Sequence, residues 1–88
     1  MSIVWTGQFK KDFKRVKKQN KDIDKLRSVI ELLAERKPLP PKYRDHKLTG
    51  YSAEHRDCHV EPDWLLIYRF DGCDLILERT GSHSNLFG

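Results

Sequence analysis

The sequence predicts an α+β domain in which two N-terminal helices pack on a mostly antiparallel sheet, in the order βααβββ. Three observations lead there. Phe9, Phe13 and Val16 recur at helical spacing, and Ile23, Leu26, Ile30 and Leu33 repeat that spacing after a short connector. Pro38, Pro40 and Pro41 then stop the helical pattern and force extended chain. From residue 55 onward the pattern changes to short β-rich runs, interrupted by Pro62 and by Asp71-Gly72.

Taken in order, Ile3 to Thr6 reads as a short strand, with Thr6 suited to cap the helix that follows. The face of that helix opposite Phe9, Phe13 and Val16 carries Lys10, Lys11, Lys14, Lys17 and Lys18. Gln19-Asn20-Lys21 is the connector, and Asp22 caps the second helix, whose apolar stripe Val29 and Leu32 widen. Two amphipathic helices so closely linked form an αα-hairpin laid on an apolar surface. Residues 42–55 show no period and are expected to form a long surface loop, a kind of segment that is often functional. Strands are expected at 55–61, 64–70 and 74–80, with a hairpin turn at Asp71-Gly72. In the first of these, alternation places Arg56, Cys58 and Val60 on one face and Asp57, His59 and Glu61 on the other. Pro62 ends it, Asp63 and Trp64 follow at the turn, and Leu65-Leu66-Ile67-Tyr68 reads as a run buried on both faces. The tail, Gly81 to Gly88, reads as a turn or short helix pinned by Leu86 and Phe87.

Eighty-eight residues make a single domain, 1–88, and a hydrophobic content of 38% is enough for one core. No apolar run approaches the roughly 20 residues of a membrane span, and the first residues lack the pattern of a signal peptide. With only Cys58 and Cys73, the expectation is a cytoplasmic chain with reduced thiols. The net charge of +4 is unevenly placed: Gln8 to Arg27 holds nine Lys or Arg against Asp12, Asp22 and Asp24, a local net of +6. Such a segment fits a phosphate-bearing or acidic partner, or simply a solvated helix face.

The residues suited to chemistry are His46, His59, Asp63 and His83, with Arg79 nearby in sequence. Metal-free RNA cleavage needs a base for the 2′-hydroxyl, charge stabilisation at the phosphorane oxygens and an acid for the leaving 5′-oxygen. Histidine suits both proton transfers, and arginine suits the phosphate. Structural readings stand beside these. His59 can be a satisfied strand histidine, His83 a cap of the terminal turn, and Arg79 a partner of Glu61, Asp63 or Glu78. His55 reads as a loop residue, and Trp64 and Tyr68 as core. No pair of potential ligands has the short spacing of a zinc motif, so neither metal nor cofactor is expected.

Three runs of the sequence carry a resemblance: Asp45-His46-Lys47-Leu48-x-Gly50, Arg56 through Trp64, and Glu78-Arg79-Thr80-Gly81-Ser82-His83-Ser84-x-Leu86-Phe87. Together with the Trp5 to Asp12 opening and Leu39-Pro40-Pro41, they resemble the YafQ branch of the RelE/ParE toxin superfamily over nearly the whole chain. The resemblance implies a RelE-like fold and a bacterial type II toxin, a ribosome-dependent mRNA endonuclease held inactive by an acidic, DinJ/RelB-like antitoxin. It implies an active site of His46, His59, Asp63, Arg79, His83 and Phe87. His83 is then the general acid, Arg79 the phosphate clamp, and His46 the general base with Asp63 competing. His59 positions RNA or tunes its neighbours, and Phe87 stacks on a base. Lys10, Lys14, Lys17 and Lys18 become contacts to ribosomal RNA in the A site, or to antitoxin, and the free toxin is expected to be a monomer. A ParE-like gyrase inhibitor shares the βααβββ plan but lacks this histidine set. A non-catalytic relative that binds only RNA or antitoxin is the remaining alternative.

Overall fold

The computed structural model describes residues 2–48, 50 and 54–88. Strand β1 (Ile3–Trp5) leads into helices α1 (Gly7–Lys18) and α2 (Ile23–Ala34). A 3₁₀ turn (Pro41–Tyr43) follows, then β2 (His46–Lys47), β3 (Arg56–Glu61), β4 (Trp64–Asp71), β5 (Asp74–Gly81) and the short helix α3 (His83–Phe87). The sheet order is β1-β5-β4-β3-β2, parallel only between β1 and β5, so the expected α+β plan of two helices on a mostly antiparallel sheet holds.

Both helices begin as the sequence predicts. Thr6 Oγ1 accepts from the Phe9 amide at 3.0 Å, and Asp22 Oδ1 accepts from the Asp24 amide at 3.1 Å. Each ends in a left-handed residue that is not glycine, Asn20 (φ 58°) and Arg36 (φ 58°). That turn lets the Lys21 and Lys37 amides return to the carbonyls of Val16 and Leu32. Phe9, Val16, Leu26, Val29 and Leu33 bury against Cys58, Val60, Trp64, Leu66, Tyr68, Leu75 and Leu77 of the sheet. Leu65 and Ile67 face the other way and pack with Leu86 of α3 and Leu48, so the middle of β4 is indeed buried on both faces.

Three expectations change. The segment 42–55 is not a featureless loop: it holds the end of the 3₁₀ turn and β2, which pairs His46 with Asp57 and Lys47 with Arg56. Two residues are too few to show a period. Residues 49 and 51–53 of that segment lie outside the described residues. The register shifts between His59 and Glu61, so Glu61 leaves the His59 face and bonds Lys25 of α2 at 2.9 Å. Trp64 starts β4 and is fully buried, in keeping with the strand expected from residue 64 and its reading as core, with its indole N–H on Thr80 Oγ1 at 2.8 Å. The hairpin loop is Gly72-Cys73, between paired Asp71 and Asp74, with Gly72 at φ 60° as a primed two-residue turn requires.

β1 covers only Leu75 to Leu77 of its neighbour, leaving the far end of β5 as a sheet edge. Side chains of α1 take over there. Asp12 accepts from the Thr80 amide at 3.2 Å, and Arg15 donates to the Thr80 carbonyl at 3.0 Å. Gly81 is needed at this crossing, because a Cβ would lie 2.6 Å from the Arg15 guanidinium and 3.2 Å from Asn85.

Candidate active site

The fold gathers the predicted residues from four places: His46 on β2, His59 on β3, Asp63 in the turn after it, and His83 and Phe87 at the two ends of α3. α3 is fixed by a capping box in which Ser82 Oγ accepts from the Asn85 amide and Asn85 accepts from the Ser82 amide. Leu86, on the buried side of α3, holds it to Leu65 and Ile67. Phe87, expected to help pin the tail, instead stays 48% exposed. The aromatic rings form a row, with centroids 6.4 Å apart from His46 to His59, 5.7 Å from His59 to His83, and 6.4 Å from His83 to Phe87.

Each of the three imidazoles is anchored through Nδ1. In His83 it lies 2.7 Å from Asp63 Oδ1, the same oxygen that accepts the His83 amide at 3.0 Å. In His59 it lies 3.2 Å from the Pro62 carbonyl. In His46 it lies 3.0 Å from the Lys47 carbonyl and 2.9 Å from Asp57 Oδ1. All these partners are acceptors when Asp57 and Asp63 are ionised, which assigns the proton to Nδ1 in every ring. Nε2 is then the nitrogen left for chemistry. In His46 it is a lone pair when the ring is neutral, and in a charged ring it is a donor.

The two acids differ in setting. The backbone and Nδ1 donors of His83 hold the Asp63 carboxyl below the usual carboxylate range, so it is ionised and committed to that ring. Burial pushes Asp57 up, and the nearby His46, His59 and His83 work against that shift. Asp57 Oδ1 is buried without a hydrogen bond, so its contact with His46 is an ion pair that forms when His46 takes up a proton. Asp57 was legible only as a neighbour of His59 on one strand face. Its pairing with His46 required β2, which no sequence signal reveals.

Arg79 lies on β5 and is bonded to α1. Its guanidinium donates to Asp12, Nε at 2.8 Å and Nη2 at 3.1 Å. Asp12 is fully buried, and it also meets Arg15 at 3.0 Å and Gln8 at 3.3 Å. Burial alone raises the Asp12 pKa, but hydrogen bonds from Arg79, the Thr80 amide and Gln8 hold it below the ordinary value. Asp12 did not stand out in the sequence, because it sits among lysines on an amphipathic helix. Lys10, Lys11, Lys14, Lys17 and Lys18 are exposed along α1, as expected. Lys21, which the sequence placed only in a connector, lies over the Trp64 ring at 5.6 Å and acts electrostatically on Asp63. Among the described residues, no three His, Cys, Asp or Glu side chains are grouped as a metal site.

Three comparisons bear on this arrangement. The family described as "Bacterial toxin of type II toxin-antitoxin system, YafQ" matches residues 1–88. The mRNA interferase toxin YafQ of Escherichia coli K12 is 47% identical over 87 residues, covering 98% of this chain and 95% of the relative. Among solved structures, the toxin in an E. coli DinJ–YafQ complex superposes with a TM-score of 0.92 at 47% identity, over 98% of this chain and 97% of that one. A metal-bound toxin from Helicobacter pylori superposes at 0.94 with 42% identity, over 99% of both chains. The chain belongs to the YafQ family of type II toxin–antitoxin toxins.

Proposed function

We propose that the chain is an mRNA endoribonuclease that cleaves message on the ribosome and is neutralised by a DinJ-like antitoxin. The observation that carries this reading is the common anchoring of His46, His59 and His83 through Nδ1, which leaves Nε2 of each of these neighbouring rings for chemistry. The name of the E. coli relative supports the activity, and the DinJ–YafQ complex supports the partner.

In this reading Nε2 of neutral His46 takes the proton of the 2′-hydroxyl. The resulting oxygen attacks the adjacent phosphorus, and buried Asp57 offsets the charge gained by the His46 ring. Charged His83, oriented by Asp63, gives its Nε2 proton to the departing 5′-oxygen. The P–O5′ bond breaks, and the products are a 2′,3′-cyclic phosphate and a 5′-hydroxyl. Arg79 stabilises the phosphorane oxygens, held in place by Asp12. His59 lies between the two proton-transfer rings and positions the phosphate. Phe87 offers its exposed face to a base, and Lys10, Lys14, Lys17 and Lys18 contact ribosomal RNA. The commitment of Asp63 to His83 favours His46 over Asp63 as the base. Every proton transfer is assigned to a side chain, so the reaction runs without a metal.

The test is primer extension on a defined message with translating ribosomes, with and without chelator, comparing wild type with His83→Ala and His46→Ala. The expected result is ribosome-dependent, chelator-resistant cleavage, reduced in either variant by about 10²-fold or more. Cleavage abolished by chelator would replace the metal-free mechanism. No cleavage by the folded wild type, with gyrase–DNA breaks trapped instead, would replace the nuclease.

A further inference from the structure

Beside the row of rings, His59 also forms one wall of a cleft of about 420 Å³ between the 3₁₀ turn, the end of β3 and α2. Its floor is apolar: Val60 is buried, Pro62 closes the strand end, and Tyr43 packs partly on the core. Its rim is cationic. Lys42 and Arg44 stand exposed on the chain entering β2, with the Lys42 ammonium 5.1 Å from the Tyr43 ring. Among the described residues the one carboxylate in the lining, Glu61, is already bonded to Lys25 at 2.9 Å, so an incoming anion meets cations there without an opposing free acid. Arg44 is in the left-handed region at φ 48°, its amide on the Pro41 carbonyl, and this reversal directs the chain into β2 only two residues before His46.

An apolar floor with an aromatic ring, rimmed by unopposed cations, suits a nucleobase and its phosphate together. The volume is within the range of small-ligand pockets. We infer that this cleft is a nucleotide subsite, in which Tyr43 and Pro62 take the base and Lys42 and Arg44 the phosphate of a message nucleotide next to the scissile bond. This rests on the nuclease reading, because His59 is the wall shared by cleft and catalytic row. Occupation of the cleft would set which nucleotide is accepted beside the cut, while the acid and base rings perform the same chemistry on any message. Ribosomal RNA offers the same phosphate, and an acidic antitoxin segment could meet the same cations.

The experiment keeps these apart. Wild type, Lys42→Ala/Arg44→Ala and Tyr43→Leu are compared for single-turnover cleavage on programmed ribosomes, for ribosome binding by sedimentation, and for binding of the purified antitoxin. In parallel, 4-thiouridine is placed on each side of the cleavage position and cross-linked to toxin whose one substitution is His83→Ala. The expected result is a loss of cleavage efficiency of about 10- to 100-fold in the double variant with ribosome binding unchanged, and a cross-link within residues 42–44 or 60–62. If Tyr43→Leu fails to fold, the cross-link still decides for the base. Full cleavage with lost antitoxin affinity would make the cleft a peptide site and overturn the proposal. Lost ribosome binding with cross-links elsewhere would assign it to ribosomal RNA and equally overturn it. Absence of cleavage by the wild type would instead be a failure of the nuclease reading.

Discussion

Replacing Asp12 tests whether one buried carboxylate both seals the sheet edge and sets Arg79, the arginine proposed to clamp phosphate. Asp12 is fully buried and accepts from Arg79 Nε, Arg79 Nη2, the Thr80 amide and Gln8, with Arg15 at 3.0 Å. Asp12→Ala removes the acceptor of the Thr80 amide and the carboxylate that Arg79 and Arg15 both meet. Removing one partner of a buried ion pair costs about 3–5 kcal/mol. The side chains of Arg79 and Arg15 are 25% and 32% exposed and can turn toward water, so the lower end applies, about 3 kcal/mol. That is a large share of the roughly 5–15 kcal/mol total of a small domain. At about 4–8 °C per kcal/mol for a chain of this length, the melting temperature should fall by at least about 12 °C. The lowered pKa fixes the sign with pH. The Asp12 contribution is complete above the ordinary carboxylate range and is lost as pH falls through the lowered native value. Asp12→Asn should therefore flatten the acid limb of the stability profile while keeping the side-chain volume. Thermal melts from pH 7 down to pH 2 measure both effects. A drop under about 4 °C for Asp12→Ala at pH 7, with cleavage intact, would refute the argument.

Asp57 should behave in the opposite way. Its pKa is raised by burial, so the ionised form costs stability at neutral pH, a cost relieved as pH falls through the raised value. Asp57→Asn should leave the melting temperature at pH 7 unchanged or raised, while cleavage falls about 10-fold or more; a large loss of stability would contradict it. The two ends of α3 separate in the same manner. Phe87→Ala should lose about 1–3 kcal/mol of RNA interaction with the melting temperature nearly unchanged, whereas Leu86→Ala should cost about 2–3 kcal/mol of stability. Reversal of Lys14, Lys17 and Lys18 to Glu should weaken ribosome binding and reduce its salt dependence, and an unchanged salt titration would count against that surface. Buried Cys58, whose thiol is pushed far up by desolvation, should resist alkylation in the native state, while exposed Cys73 at the hairpin turn reacts; mass spectrometry after iodoacetamide counts the adducts.

Local patterns in the chain encode the two long helices, every strand but β2, and the residue types of the candidate site. Capping at Thr6 and Asp22, the apolar stripes of α1 and α2, and the doubly buried run from Leu65 to Tyr68 all depend on local periodicity and local hydrogen bonds. The residue runs around His46, His59 and His83 were enough to point to the family. Which of these residues meet depends on how distant segments pack. β2 is two residues long, and it takes its register from β3, so the His46–Asp57 contact is a product of strand pairing that no period in the sequence encodes. The shift after His59 moved Glu61 to Lys25 on the helical side, against strict alternation. Asp12 joined Arg79 because β1 stops short and leaves an edge for α1 to satisfy. Local patterns report how one segment lies on a surface, whereas a site is made where segments far apart in the chain must satisfy each other's charges and hydrogen bonds.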